Sequence, residues 1–106
     1  MVPGFTVSVA PAHGRQLLAV RGELDMATAP RLRDAFAGLH GDDVDLDGSE
    51  LSFIDSTGLS VLLAANRRWR EDGRSLRLVN PSRPLRRLLE IAGVDHAFEI
   101  DDPPTD

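Results

Sequence analysis

Residues 55–58 read Asp55-Ser56-Thr57-Gly58, a carboxylate, two hydroxyls and a glycine set between two apolar patterns. Leu51-Ser52-Phe53-Ile54 comes before them, and Leu59, Leu62, Leu63, Asn66 and Trp69 follow at helical spacing. This order predicts a loop that leaves a strand and enters a helix, with the polar residues at the helix N-terminus. Unpaired N–H groups and the positive end of the helix dipole meet there, so the position suits negative charge. A hydroxyl held there can cap the helix or accept a phosphate, and the residues alone leave both readings open.

Other chemistry at these residues fails on spacing. Aspartic proteases use Asp-Thr/Ser-Gly, but here an extra residue separates Asp55 from Gly58 and a helix follows at once. A nucleophile elbow needs Gly-x-Ser-x-Gly, and Ile54 stands where the first glycine belongs. His13 lies in a predicted turn, His40 at a helix end and His96 near a distal strand, so none is marked as a general base and their spacing does not suit zinc. The chain has no cysteine, and its 12 basic residues are all arginine, which removes thiol, Schiff-base and P-loop lysine chemistry and the receiver-domain lysine. No enzyme activity and no cofactor are expected.

The elements that must position the loop are legible in the pattern. Phe5-Thr6-Val7-Ser8-Val9 alternates as a strand, residues 11–14 read as a turn, and Leu17-Leu18-Ala19-Val20 completes a hairpin. Asp25 or Thr28 can cap the next helix, Pro30 fits its first turn, and Leu32, Ala35, Phe36 and Leu39 form its apolar stripe before His40-Gly41 ends it. Asp43-Val44-Asp45-Leu46-Asp47 predicts a strand with its three carboxylates on a solvated face, and Gly48-Ser49-Glu50 predicts a turn after it. The carboxylates lack the spacing of a calcium loop, so no metal is expected. Trp69 reads as the edge of the core, Gly73 closes the helix, and Ser75–Val79 is a further strand. Asn80-Pro81-Ser82 opens a last helix with Leu85, Leu88, Leu89 and Ala92 inward, and Gly93 stops it. Residues 96–100 are a candidate closing strand.

The expected fold is α/β: one mixed sheet of four to five strands packed against helices, in the order β-β-α-β-α-β-α with a closing β left open. The 106 residues suit one domain, with a core over about 5–100 and an acidic disordered tail over 101–106. The net charge of −5 argues against binding nucleic acid through its phosphates. No apolar run approaches the ~20 residues needed to span a bilayer, and the N-terminus lacks a signal-peptide pattern, so a cytoplasmic location is expected.

Three segments together resemble the STAS domain, and more narrowly the bacterial anti-sigma factor antagonists. They are Gly22-Glu23-Leu24-Asp25, Phe53-Ile54-Asp55-Ser56-Thr57-Gly58-Leu59, and Leu76-Arg77-Leu78-Val79-Asn80-Pro81 leading to Leu88-Leu89-Glu90-Ile91-Ala92-Gly93. The resemblance implies a partner switch. The unphosphorylated protein binds an anti-sigma factor that is also a serine kinase of histidine-kinase-like ATPase fold, and so frees the sigma factor. Phosphorylation at Ser56, with Thr57 as the secondary candidate, ends that binding, and a metal-dependent serine/threonine phosphatase restores it. Asp25, Asp55, Ser56, Thr57, Gly58 and Leu59 are the implied partner-binding residues. The alternative within the same fold is an accessory subunit docking on an ATPase of a membrane transport system, and the serine at 56 favours the antagonist.

Overall fold

In the computed structural model, residues 4–39 and 41–101 are described. The expected helix stop at His40 and residues 102–106 of the expected 101–106 tail lie outside them, while Asp101 ends the last strand instead of opening the tail.

The opening alternation does form a hairpin, with β1 at Phe5–Ala12 and β2 at Arg15–Leu24. It turns through His13 and Gly14, whose φ of 54° and 76° suit the two-residue turn that matches strand twist. The chain continues as α1 (Ala29–Gly38), β3 (Val44–Ile54), α2 (Ser56–Glu71), β4 (Leu76–Val79), α3 (Arg83–Ile91), a 3-10 turn at Asp95–Ala97, and β5 (Glu99–Asp101). The strands form one sheet in the order β1-β2-β3-β4-β5, antiparallel between β1 and β2 and parallel elsewhere. This is the mixed α/β sheet expected; the closing strand is present at Glu99–Asp101, while His96 and Ala97 of the expected 96–100 lie in the 3-10 turn.

One face of the sheet points Leu18, Val20, Val44, Leu46, Leu76 and Leu78 into a single apolar cluster with the helices. Leu32 and Phe36 enter it from α1, Leu59, Leu62 and Trp69 from α2, and Leu85 and Leu89 from α3. Trp69 meets Phe36 edge-on at 5.5 Å, and its indole N–H donates to the Asp42 carbonyl at 2.7 Å, so its one polar atom is satisfied. Ala92, expected inward, is instead exposed at the C-cap of α3.

Two expectations about β3 are corrected. Gly48-Ser49-Glu50 is not a turn, since the strand runs unbroken to Ile54. Its register against β2 slips between Ala19 and Arg21 and again between Gly22 and Glu23, each time with one extra residue in β3. Turn-forming residues are absorbed here as bulges, which bend a strand without ending its pairing. A Cβ at Gly48 would stand 2.9 Å from Cδ2 of Leu85 in α3, so α3 packs closely over the bulge and a side chain there would require that leucine to shift.

The second correction concerns Asp45. Its carboxylate is not solvated but held by two arginines, Arg15 Nε at 2.7 Å and Arg77 Nε and Nη2 at 2.8 and 2.9 Å. Arg15 also donates to Ser75 Oγ at 2.9 Å, so the group staples β2, β3 and β4 on the open face of the sheet. The Arg77 hydrogen bond, then Arg15, holds the Asp45 carboxyl below its ordinary 3.8, against the opposing effect of burial. A depressed pKa contributes stability that is complete above the unfolded value and is lost as pH falls through the folded one. Asp45→Asn is therefore expected to cost about 1–2 kcal/mol at neutral pH and to flatten the loss of stability below pH ~4. Denaturant melts of both proteins across that acid range check this, and parallel curves would contradict it.

Candidate functional site

Two parallel strands end side by side and thereby fix the site. Leu24 of β2 pairs with Ile54 of β3, and the Asp55 N–H donates to the Leu24 carbonyl at 3.1 Å. Asp25 and Asp55 thus leave the sheet from adjacent strand ends, at the carboxyl edge where open α/β sheets place ligands.

At β2, Asp25 closes a tight turn ahead of α1. Its Oδ1 accepts from the backbone N–H groups of Ala27 at 2.9 Å and Thr28 at 3.1 Å. Thr28 returns the contact, its Oγ1 accepting from the Asp25 N–H at 2.9 Å and donating to the Glu23 carbonyl at 2.8 Å. Of the two expected caps, Thr28 holds the N-cap position but makes no side-chain cap bond to the helix. Asp25 orders the loop instead, through one oxygen.

At β3, the extended backbone of Asp55 (φ −109°, ψ −177°) makes it the N-cap of α2, and its Oδ1 accepts from the Gly58 N–H at 2.9 Å. Neither hydroxyl caps the helix: the carboxylate does. Ser56 is left as the first helical residue, exposed, and its hydroxyl has no hydrogen-bond partner among the described residues. One turn on, the Ser60 hydroxyl donates to the Ser56 carbonyl at 2.9 Å. Thr57 is half-buried.

Gly58 and Leu59 point the other way. Gly58 is buried, and a Cβ there would stand 2.7 Å from Leu24 Cγ and 2.9 Å from the Leu24 carbonyl. The close approach it permits is that of α2 to β2, within the chain. Leu59 is 6% exposed and belongs to the core. The outward surface thus comprises Asp25, Ser56 and Thr57, with Asp55 behind them as the cap. Beside it stands Met26, 73% exposed, with Phe53 47% exposed on β3. Sequence reasoning passed over both; a methionine in a polar turn, where no core pattern claims it, was the available signal. Among the described residues no cluster of His, Asp and Glu could hold a metal ion.

A family profile described as "Mlab, STAS domain" matches residues 7–100. The chain is a STAS domain. Among curated relatives it is 35% identical over 83 residues to the anti-sigma-B factor antagonist of Bacillus subtilis, covering 76% of each chain. It is 30% identical over 101 residues to the anti-sigma-F factor antagonist RsfB of Mycobacterium tuberculosis, covering 91% of this chain and 80% of that one. A crystal structure of an anti-sigma factor antagonist from Mycobacterium paratuberculosis superimposes with a TM-score of 0.83 at 28% identity, covering 95% of this chain and 86% of that one. The family expected from the three sequence segments is therefore the family found, and this STAS domain belongs with the anti-sigma factor antagonists.

Proposed function

We propose that this STAS domain is a cytoplasmic anti-sigma factor antagonist, a regulator acting by binding, and that phosphorylation of Ser56 switches it off. The unphosphorylated form binds an anti-sigma factor through the face carrying Asp25, Ser56 and Thr57, and the sigma factor is released. The anti-sigma factor is also the kinase: the Ser56 hydroxyl attacks the terminal phosphorus of ATP and loses its proton, and the bond to the departing ADP breaks. A metal-dependent serine/threonine phosphatase transfers that phosphoryl group to water and restores the hydroxyl.

One observation carries this reading within the family. Asp55 caps α2, so the Ser56 hydroxyl stands exposed at the helix N-terminus without a structural duty. A phosphate there adds about −1.5 to −2 charges at a helix end that tolerates anions, so the fold is spared. It stands on the same face as Asp25, and the added charge and bulk oppose close docking of a partner shaped for the bare hydroxyl. A large penalty at the interface with little penalty to the fold is what a reversible binding switch requires.

Incubation with ATP and the cognate anti-sigma kinase, followed by mass spectrometry of the peptide, is the direct test. Phosphate is expected on Ser56, and Ser56→Ala is expected to bind the kinase and stay unmodified. Phosphate on Thr57 in the parent protein would move the acceptor by one residue. In the alternative reading, an accessory subunit of a membrane transport system, the same loop docks an ATPase without phosphorylation; recovery of a transport ATPase in place of an anti-sigma kinase in a pull-down would reverse the choice.

A further inference from the structure

The two edges of the sheet are unlike. β5 is three residues long and acidic at both ends, which discourages pairing with another strand. β1 runs for eight residues, Phe5–Ala12, without one charged side chain. Its outward hydrogen-bonding groups follow from the register. The two-residue turn makes Ala12 and Arg15 a bonded pair, so alternation directs the backbone groups of Thr6, Ser8, Ala10 and Ala12 to β2. Those of Phe5, Val7, Val9 and Pro11 face outward. Gln16 agrees: it stands opposite Pro11, and its N–H bonds away from β1, to the Asp43 carbonyl at 2.9 Å. Pro11 therefore withholds no bond from β2. On the outward side the Phe5 carbonyl already accepts from the Arg31 guanidinium at 3.1 Å, and that group also lies 5.2 Å over the Phe5 ring. Val7 and Val9 have no outward partner among the described residues, and Val9 is 45% exposed.

We infer that β1 is the contact surface for a second copy of this chain, paired antiparallel about a two-fold axis at Ser8. In that register Val7 of each copy lies opposite Val9 of the other, and each pair exchanges both of its backbone hydrogen bonds. Pro11 lies opposite Phe5 of the second copy. Its carbonyl accepts the Phe5 N–H, and its missing donor meets the one outward carbonyl that Arg31 already satisfies. Neighbouring registers fit worse. An axis at Val9 sets the donorless Pro11 against the unpaired Val7 carbonyl, and an axis at Val7 spends the Val9 N–H on the occupied Phe5 carbonyl. The same surface meeting itself closes the assembly at a dimer. The sheets join into one, each copy covers the other's exposed Val9, and the two Ser56 faces lie at opposite ends.

Sedimentation velocity from micromolar to millimolar chain tests for association, and a cross-link tests the register. Ser8 would face its counterpart across a non-hydrogen-bonded position with Cα atoms about 4.5 Å apart, within the ~4.4–6.8 Å that a disulfide spans. The chain contains no cysteine, so Ser8→Cys introduces a lone thiol. Mild oxidation is expected to convert Ser8→Cys to a disulfide dimer and to leave Thr6→Cys largely monomeric. Val9→Pro removes an outward donor without touching the bonds to β2, and should weaken association at least tenfold with the thermal midpoint little changed. Ser8→Arg sets like charges across the axis on the exposed face and serves the same purpose if Val9→Pro does not fold. A monomer at every concentration, equal cross-linking of the two cysteine variants, or a folded Val9→Pro or Ser8→Arg that dimerises like the parent would each overturn the proposal.

Discussion

Ser56→Asp is expected to weaken binding to the cognate anti-sigma factor by a hundredfold or more while leaving the thermal midpoint within a few degrees. The two halves of this result come from different atoms. Ser56 is the first residue of α2, exposed, with a hydroxyl that bonds nothing among the described residues, so removing it deprives the fold of nothing. A carboxylate placed there meets free N–H groups and the positive helix end, an interaction worth about 0.3–1 kcal/mol in its favour. The partner meets the same charge without that compensation, on a face that already carries Asp25. Every ~1.4 kcal/mol of conflict is a factor of ten, so about 3 kcal/mol suffices for the loss. Titration calorimetry and a thermal melt measure both halves, and Ser56→Asn, of similar size but neutral, should keep most of the affinity. Unchanged binding by Ser56→Asp would remove the switch.

Much of this surface was legible in the sequence because the information there is local. Asp55 before a helical pattern, and strands with a period of two on either side of it, place a polar loop at a helix entrance without any knowledge of distant contacts. What stayed hidden depended on partners far away in sequence. Asp45 reads as one more carboxylate on a solvated face until Arg15 and Arg77, brought in by the neighbouring strands, close on it. Gly48-Ser49-Glu50 carries turn chemistry, and only pairing to β2 on one side and the packing of Leu85 on the other turn it into a bulged strand. Ser56 and Thr57 are good capping types, so the residues alone leave a hydroxyl cap open. The register of the β3–α2 junction decided for Asp55, since its extended backbone is the last non-helical residue.

Gly58 separates local from tertiary reasoning most sharply, and Gly58→Ala is expected to destabilise the protein although it improves helix propensity. Replacing a helical glycine by alanine ordinarily gains about 0.5–1 kcal/mol. At this position the new methyl would stand 2.7 Å from Leu24 Cγ and 2.9 Å from the Leu24 carbonyl. A side chain could rotate away, but that carbonyl is fixed in the sheet, where it accepts the Asp55 N–H. The start of α2 must therefore move off β2, and overpacking of this kind costs about 1–3 kcal/mol, enough to reverse the propensity gain. The expected net loss of about 1 kcal/mol lowers the midpoint by roughly 4–8 °C for a domain of this size. Gly38, on α1, provides the control, because nothing lies within 4 Å of its would-be Cβ, and Gly38→Ala should be neutral or slightly stabilising. A midpoint that rises in both variants would mean that α2 is free to shift. A fall in Gly58→Ala alone, accompanied by weaker binding to the anti-sigma factor, would show that the Leu24–Gly58 contact sets the height at which Ser56 is presented.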